Sequence, residues 1–399
     1  MKVAGIVAEY NPFHTGHAYQ ITATRAELGG DGAVVAVMSG NWVQQADCAV
    51  ADKWVRACLA LMGGVDLVLE LPTVWAMSSA ESFARGAVSI LHACGVVDAI
   101  SFGSECGDVE ALCRVAACLD SEAYHTALVP MLDKGESFAA CRQKAAEQVL
   151  GKALGSLLAK PNNNLGVEYI RALNALGSGI QPMTVLRQGA GHNEVTDETG
   201  FRSATQLRGE IAADNWSEVA RFLPDGGADW LKAAPRPDTS RVERAILARL
   251  RTMEAEDWAK LPDSGSAEGL PRRLERAGKT CTDLADFFEK AKTRRFTHAR
   301  LRRLVLWAYL GLTAADVPET PPYIRVLGFN ERGREVLARM RKKAALPIIT
   351  KPAHAKRLDG AARRLFELER RCTDLYDLCM EAVPAPGREW TCGPVCSEE

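Results

Sequence analysis

The feature that most constrains this 399-residue chain is the alternation in its first hundred positions. Mainly apolar runs at 2–8, 33–38, 65–71 and 97–102 are separated by helix-patterned stretches at 16–28, 51–62 and 79–93. Apolar runs of that length fit strands buried on both faces, which means a parallel sheet covered by helices. The order strand–helix–strand therefore predicts an α/β fold with right-handed crossovers and a ligand at the carboxyl ends of the strands. Residues 109–158 read as mostly helical. A loop opens at Lys160-Pro161-Asn162-Asn163-Asn164, and a further helix and strand end near Leu186. Turn signals at Pro224-Asp225-Gly226-Gly227 place a domain boundary there, giving units 1–222 and 223–399, the second mainly helical.

Composition narrows the partners. Lys+Arg 49 against Asp+Glu 50 leaves a net charge of −1, so nucleic acid, if bound, must be held by a local patch. No apolar run is long enough to cross a bilayer, and Glu9 interrupts the opening run before a cleavable leader could form. A cytoplasmic protein is expected, with neither a membrane nor DNA as partner. The 12 cysteines are scattered singly, as reduced core residues would be, and Cys392 and Cys396 lie in a tail expected to be mobile. No cysteine or histidine spacing marks a metal site. Gly278-Lys279-Thr280 imitates the end of a P-loop, but Arg273 stands where its first glycine must be.

The chemistry-bearing string is Tyr10-Asn11-Pro12-Phe13-His14-Thr15-Gly16-His17, directly after the first strand. Histidines three apart share one face of the helix that starts there, beside its free N–H groups and positive dipole end. That combination suits phosphate oxygens and charge developing on phosphorus. Gly16 is expected to leave room for a nucleotide. The plainer alternative is a junction with two solvated histidines. A second segment, Phe201-Arg202-Ser203-Ala204-Thr205-Gln206-Leu207-Arg208, offers Ser203 and Thr205 as helix caps and Arg208 as a phosphate fork one turn inside.

The string from Ala8 to His17 closely resembles the tRNA(Met) cytidine acetate ligases, relatives of the HxGH nucleotidyltransferases. So do Val37-Met38-Ser39-Gly40-Asn41, Asp52-Lys53-Trp54, Val65-Asp66-Leu67-Val68-Leu69-Glu70-Leu71-Pro72 and Phe102-Gly103-Ser104-Glu105. The resemblance runs on through Arg187-Gln188-Gly189-Ala190-Gly191 to Arg325-Val326-Leu327-Gly328-Phe329 and Leu346-Pro347-Ile348-Ile349-Thr350. It implies a Rossmann-like nucleotidyltransferase domain followed by a mainly helical, tRNA-binding one. It also implies that acetate and ATP, with magnesium, form acetyl-adenylate, whose acetyl group passes to the wobble cytidine of elongator tRNA(Met). A nucleotidylyltransferase acting on a phosphorylated small molecule such as phosphopantetheine is the second reading. A non-enzymatic RNA-binding protein is the third.

Carried over by motif, the catalytic residues would be His14, His17 and Arg208. The ATP contacts would be Val7, Ala8, Glu9, Tyr10, Asn11, Pro12, Phe13, His14, Thr15, Gly16, His17, Ala18, Tyr19 and Gln20, then Gly103, Asn162, Asn163, Arg187, Gln188, Ser203 and Thr205. The family's Gln-Arg-Gly-x-Pro is replaced here by Gln44-Gln45-Ala46-Asp47-Cys48, and Lys53 and Arg56 are expected to supply the missing cation. For tRNA, the acid-free run Lys290, Lys292, Arg294, Arg295, Arg300, Arg302 and Arg303, with Phe296 and His298 interleaved, is the expected surface. Arg339, Arg341, Lys342 and Lys343 form a second cluster.

Overall fold

A computed structural model describes residues 1–132, 136–187, 201–265 and 268–396. The expected alternation folds as β1 (Val3–Ala8), α1 (Thr15–Glu27), β2 (Ala33–Ser39), α2 (Lys53–Met62), β3 (Leu67–Leu71), α3 (Ala80–Ala93) and β4 (Ala99–Ser104). α4 (Pro161–Ala175) and β5 (Gln181–Leu186) follow, and α5 (Ala204–Ala212) closes the first half. Every residue of β2 and β3 is buried, Ser39 and Glu70 included, which is why both read as mainly apolar runs. A polar residue starts α2 where the chain turns: Asp52 accepts hydrogen bonds from the N–H groups of Trp54 and Val55 at its head.

The strand order β3-β2-β1-β4-β5 is parallel throughout, so the sheet reverses its winding direction between β1 and β4. A crevice opens at such a point beyond the carboxyl ends of the strands.

Beyond residue 223 the chain is mainly helical, including α6 (His298–Tyr309), α7 (Glu331–Lys343) and α8 (Gly360–Asp377). It does not stay apart from the sheet. β6 (Ile324–Phe329) pairs antiparallel with β3, the short β7 (Ile348–Ile349) pairs with β6, and β8 (Val395–Cys396) forms the far edge. The chain past the expected boundary thus supplies three of the sheet's eight strands. The tail expected to be mobile is instead a docked strand. All 12 cysteines are free thiols.

A buried ionic cluster fastens this return. Lys53 donates to Glu70 at 2.5 Å and to Glu389, while Arg325 lies 3.0 Å from Glu389 and 3.7 Å from Glu70. Glu369 on α8 accepts from the N–H and hydroxyl of Thr73 at 2.7 and 2.8 Å. Burial, with Glu70 adding to it, pushes the Glu369 carboxyl up to about 8. Lys53 and Arg56 are both fully buried, which overturns their expected role as substitute cations for tRNA or phosphate. Arg56 spends its guanidinium on the carbonyls of Glu9, Ser39, Gly40 and Ala51.

Candidate active site

At the crevice, β1 ends and the backbone turns through Tyr10, whose φ of 45° lies in the left-handed region, and a cis Asn11–Pro12 peptide. His14 is the N-cap of α1. Its Nδ1 accepts the Gly16 N–H at 3.1 Å, and His17 Nδ1 accepts the His14 N–H at 3.2 Å, a capping box made of two imidazoles. The rings lie 3.9 Å apart. With both Nδ1 atoms accepting, each neutral ring carries its proton on Nε2. Burial pushes His14 down to about 3, helped by the charge of Arg187. Burial, then His14 and Arg187, hold His17 well below the ordinary histidine range. Both rings are therefore uncharged hydrogen-bond donors at neutral pH.

Gly16 serves this arrangement more than it makes space: a Cβ there would sit 2.9 Å from the His14 ring. Gly103 acts similarly. It lies within β4, and a Cβ would press on the Arg187 stem at 3.1 Å, so its absence lets that side chain cross the strand end. Arg187 reaches Asn162 Oδ1 at 3.3 Å. Glu105 takes the N–H groups of Asn162 and Asn163 at the head of α4, at 3.2 and 2.8 Å. From α5, Arg208 donates to the Asn11 carbonyl at 2.9 Å and to Thr205 Oγ1 at 3.0 Å, while Ser203 caps the helix by accepting from Gln206 N–H.

These groups enclose a cavity of about 310 Å³. Of the residues named from sequence, Val7, Ala8, Glu9, Tyr10, Asn11, His14, Gly16, His17, Tyr19, Gln20, Gly103, Asn162, Arg187, Ser203, Thr205 and Arg208 line it. Five do not. Phe13 is wholly buried in the core between α1 and α2, and Pro12 is buried beside it. Thr15 donates its N–H to Phe222, Ala18 packs on the same core, and Asn163 is buried with its Oδ1 accepting from Glu105 and Cys106. Gln188 lies outside the described residues. Sequence reasoning missed Phe83, Phe102, Leu165 and Tyr169, which form apolar wall. Their spacing is that of ordinary core, so nothing marked them. A separate hollow, about 550 Å³, lies between Pro322, Pro347, His354, Arg357 and Asp359.

The replaced segment lies on the cavity's rim. Ala46 has φ 60°, a conformation natural to glycine, and Gln45 Oε1 faces Arg208 at 3.4 Å.

The basic run is less free than its sequence suggests. Lys290 is paired with Asp286, and Arg300 with Glu268. Lys292 donates to the Phe296 carbonyl and Arg295 to that of Leu132. Arg303 is half-buried, and burial lowers its pKa. Phe296 is buried under Arg300, so it offers no stacking face, contrary to expectation. Arg294 and Arg302 remain exposed and unpaired among the described residues. In the second cluster Arg339 holds the Met1 carbonyl. Arg341, Lys342 and Lys343 sit on the last turn of α7, where its dipole favours cations.

Neutral imidazole donors over a helix N-terminus, at the winding switch of a parallel sheet, define a nucleotidyl transferase. The family model described as HIGH Nucleotidyl Transferase matches residues 1–388. A tRNA(Met) cytidine acetate ligase of Acetivibrio thermocellus is 35% identical over 98% of this chain and 99% of its own length. One of Caldanaerobacter subterraneus subsp. tengcongensis is 39% identical over 95% of each. The crystal structure of Thermotoga maritima TmcAL bound with alpha-thio ATP superposes with a TM-score of 0.90 at 35% identity, covering 99% of both chains. Within the nucleotidyl transferases, the chain belongs to the tRNA(Met) cytidine acetate ligase family.

Proposed function

We propose that this protein joins acetate to ATP as acetyl-adenylate and passes the acetyl group to N4 of the wobble cytidine of elongator tRNA(Met), in the cytoplasm. The observation that carries the reading is the pair of uncharged imidazoles whose Nδ1 atoms are occupied, which leaves two fixed N–H donors at the cavity wall. Acetate is already ionised at neutral pH, so attack on the α-phosphorus needs no base. What the first step needs is alignment, charge neutralisation on the departing pyrophosphate, and shelter for a mixed anhydride.

His14 and His17 donate to phosphate oxygens, and Arg187 and Arg208 add charge from opposite sides of the crevice. Ser203 caps the helix that carries Arg208, while Thr205, expected as a second cap, instead accepts from the Arg208 guanidinium. Magnesium fits this site as a passenger of the triphosphate, because one carboxylate, Glu9, lines the cavity among the described residues. When bound it would offset charge on the leaving pyrophosphate.

The tRNA contacts would come from the run at Lys290, Lys292, Arg294, Arg295, Arg300, Arg302 and Arg303, with Arg294 and Arg302 the unpaired members. The second reading, a small-molecule nucleotidylyltransferase, leaves unexplained why the close relatives carry this chain's whole length. Incubation with radiolabelled acetate, ATP and bulk tRNA, followed by digestion, should yield acetylated cytidine. Label appearing on no nucleoside would refute the proposal. Arg294→Ala/Arg302→Ala should weaken tRNA binding and flatten its salt dependence. An unaltered salt slope would move the interface elsewhere.

A further inference from the structure

The charged side chains lining the cavity among the described residues are arginines, with one exception. Glu9, at the end of β1, is its single carboxylate among the described residues. A carboxylate facing phosphate oxygens is repelled by them, so its presence implies a different neighbour. Its Oε1 accepts the Gln44 N–H at 2.6 Å, which fixes the side chain. Oε2 receives no hydrogen bond from a described residue and is not sealed from the cavity.

The proposed acetyl transfer creates a need that the first step lacks. Cytosine's exocyclic amine is conjugated with the ring and carries two protons, one of which must leave as the C–N bond forms. The imidazoles cannot take it: their Nδ1 atoms hold backbone N–H groups and their Nε2 atoms already bear protons. Burial pushes the phenols of Tyr10 and Tyr169 upward, so neither is ionised, and the arginines have no lone pair to offer.

The geometry points to Glu9 as the proton acceptor for the tRNA amine. In that step the amine nitrogen attacks the acetyl carbonyl carbon and its proton passes to Oε2. The acyl–oxygen bond then breaks, with its electron pair leaving on the phosphate of AMP. Burial raises the Glu9 carboxyl above the ordinary range, toward the values useful to a base near neutrality. Arg56 from α2 and Arg208 from α5 oppose that rise, and un-ionised Tyr169 faces Glu9 from α4.

This role rests on the acetyl-transfer reading, so the test separates the half-reactions. Glu9→Gln retains the acceptor for Gln44 N–H and removes the base. Acetate-dependent ATP–pyrophosphate exchange reports step one, and single-turnover transfer from preformed acetyl-adenylate to tRNA reports step two. Transfer should fall about 100-fold or more beyond any loss in exchange. The wild-type transfer rate should decline as pH is lowered and Glu9 protonates, and the variant should lose that decline. Glu9→Asp, a base one methylene short, should recover part of the transfer. Transfer within about threefold of wild type, or an acid limb that persists in Glu9→Gln, would overturn the assignment. Equal losses in exchange and transfer would instead place Glu9 on the nucleotide or its magnesium. A wild-type protein that acetylates no tRNA would remove the substrate itself, which is a different failure.

Discussion

His14 does two jobs that one substitution can separate. As N-cap it accepts the Gly16 N–H at 3.1 Å, and as a neutral ring it presents Nε2–H to the cavity. Asparagine is among the better N-caps and would keep the first job, so His14→Asn should hold stability within about 0.5 kcal/mol of wild type. It would forfeit the second. Loss of one donor to developing oxyanion charge costs about 2.7–4 kcal/mol, or about 10²–10³ in rate. His14→Ala should show the same loss of rate and a further loss of about 1 kcal/mol in stability. Urea unfolding and acetate-dependent ATP–pyrophosphate exchange measure the two quantities. Because burial and Arg187 hold His14 at about 3, the exchange rate should show no ionisation near 6.5 between about pH 6 and about pH 8.5. Exchange in His14→Asn within about threefold of wild type would refute the donor role. A wild-type inflection near 6.5 that the variant abolishes would refute the uncharged ring.

The same pair governs acid stability. A histidine whose folded pKa lies below its unfolded value leaves the unfolded state binding more protons, so the stability it confers is present above about 6.5 and drains away toward about 3. Urea midpoints should fall across that window, and by less in a His14→Asn/His17→Asn double variant. Ala46→Gly, at φ 60°, should stabilise by about 1 kcal/mol in thermal melts. Lys53→Met, which strips the shared cation from buried Glu70 and Glu389, should cost about 3–5 kcal/mol despite lying away from the cavity.

Much of the nucleotide half was legible because its signals are local. β2 and β3 are buried on both faces and so are almost wholly apolar, Ser39 and Glu70 excepted, and the capping histidines sit within four positions of each other. The second half was harder to read. β6 is six residues long and β8 two, each embedded among helices, and what makes them strands is pairing with residues far along the chain, β6 with β3 and β8 with β6. Lys53 shows the same limit: charge on an amphipathic stretch ordinarily faces water, and the distant Glu389 joins Glu70 in drawing it inward. Arg56 is held instead by backbone carbonyls of Glu9, Ser39, Gly40 and Ala51, which no side-chain pattern marks. Phe296 looked like a stacking ring for a related reason, since interleaving with cations is also what the inner face of a helix boundary produces.

Glu389 gives synthesis of the chain a timetable. Ribosomes deliver Lys53, Glu70 and Arg325 before this carboxylate. Until it emerges, two cations compete for Glu70 in a space water must vacate, and β6, though paired with β3, still lacks β8 on its other side. The nucleotide half can therefore collapse early around its apolar strands, but it locks only when the stretch carrying Glu389 and β8 threads back across the sheet. A nascent chain stalled before that point would display an unzipped edge, which is the form chaperones and proteases would meet first.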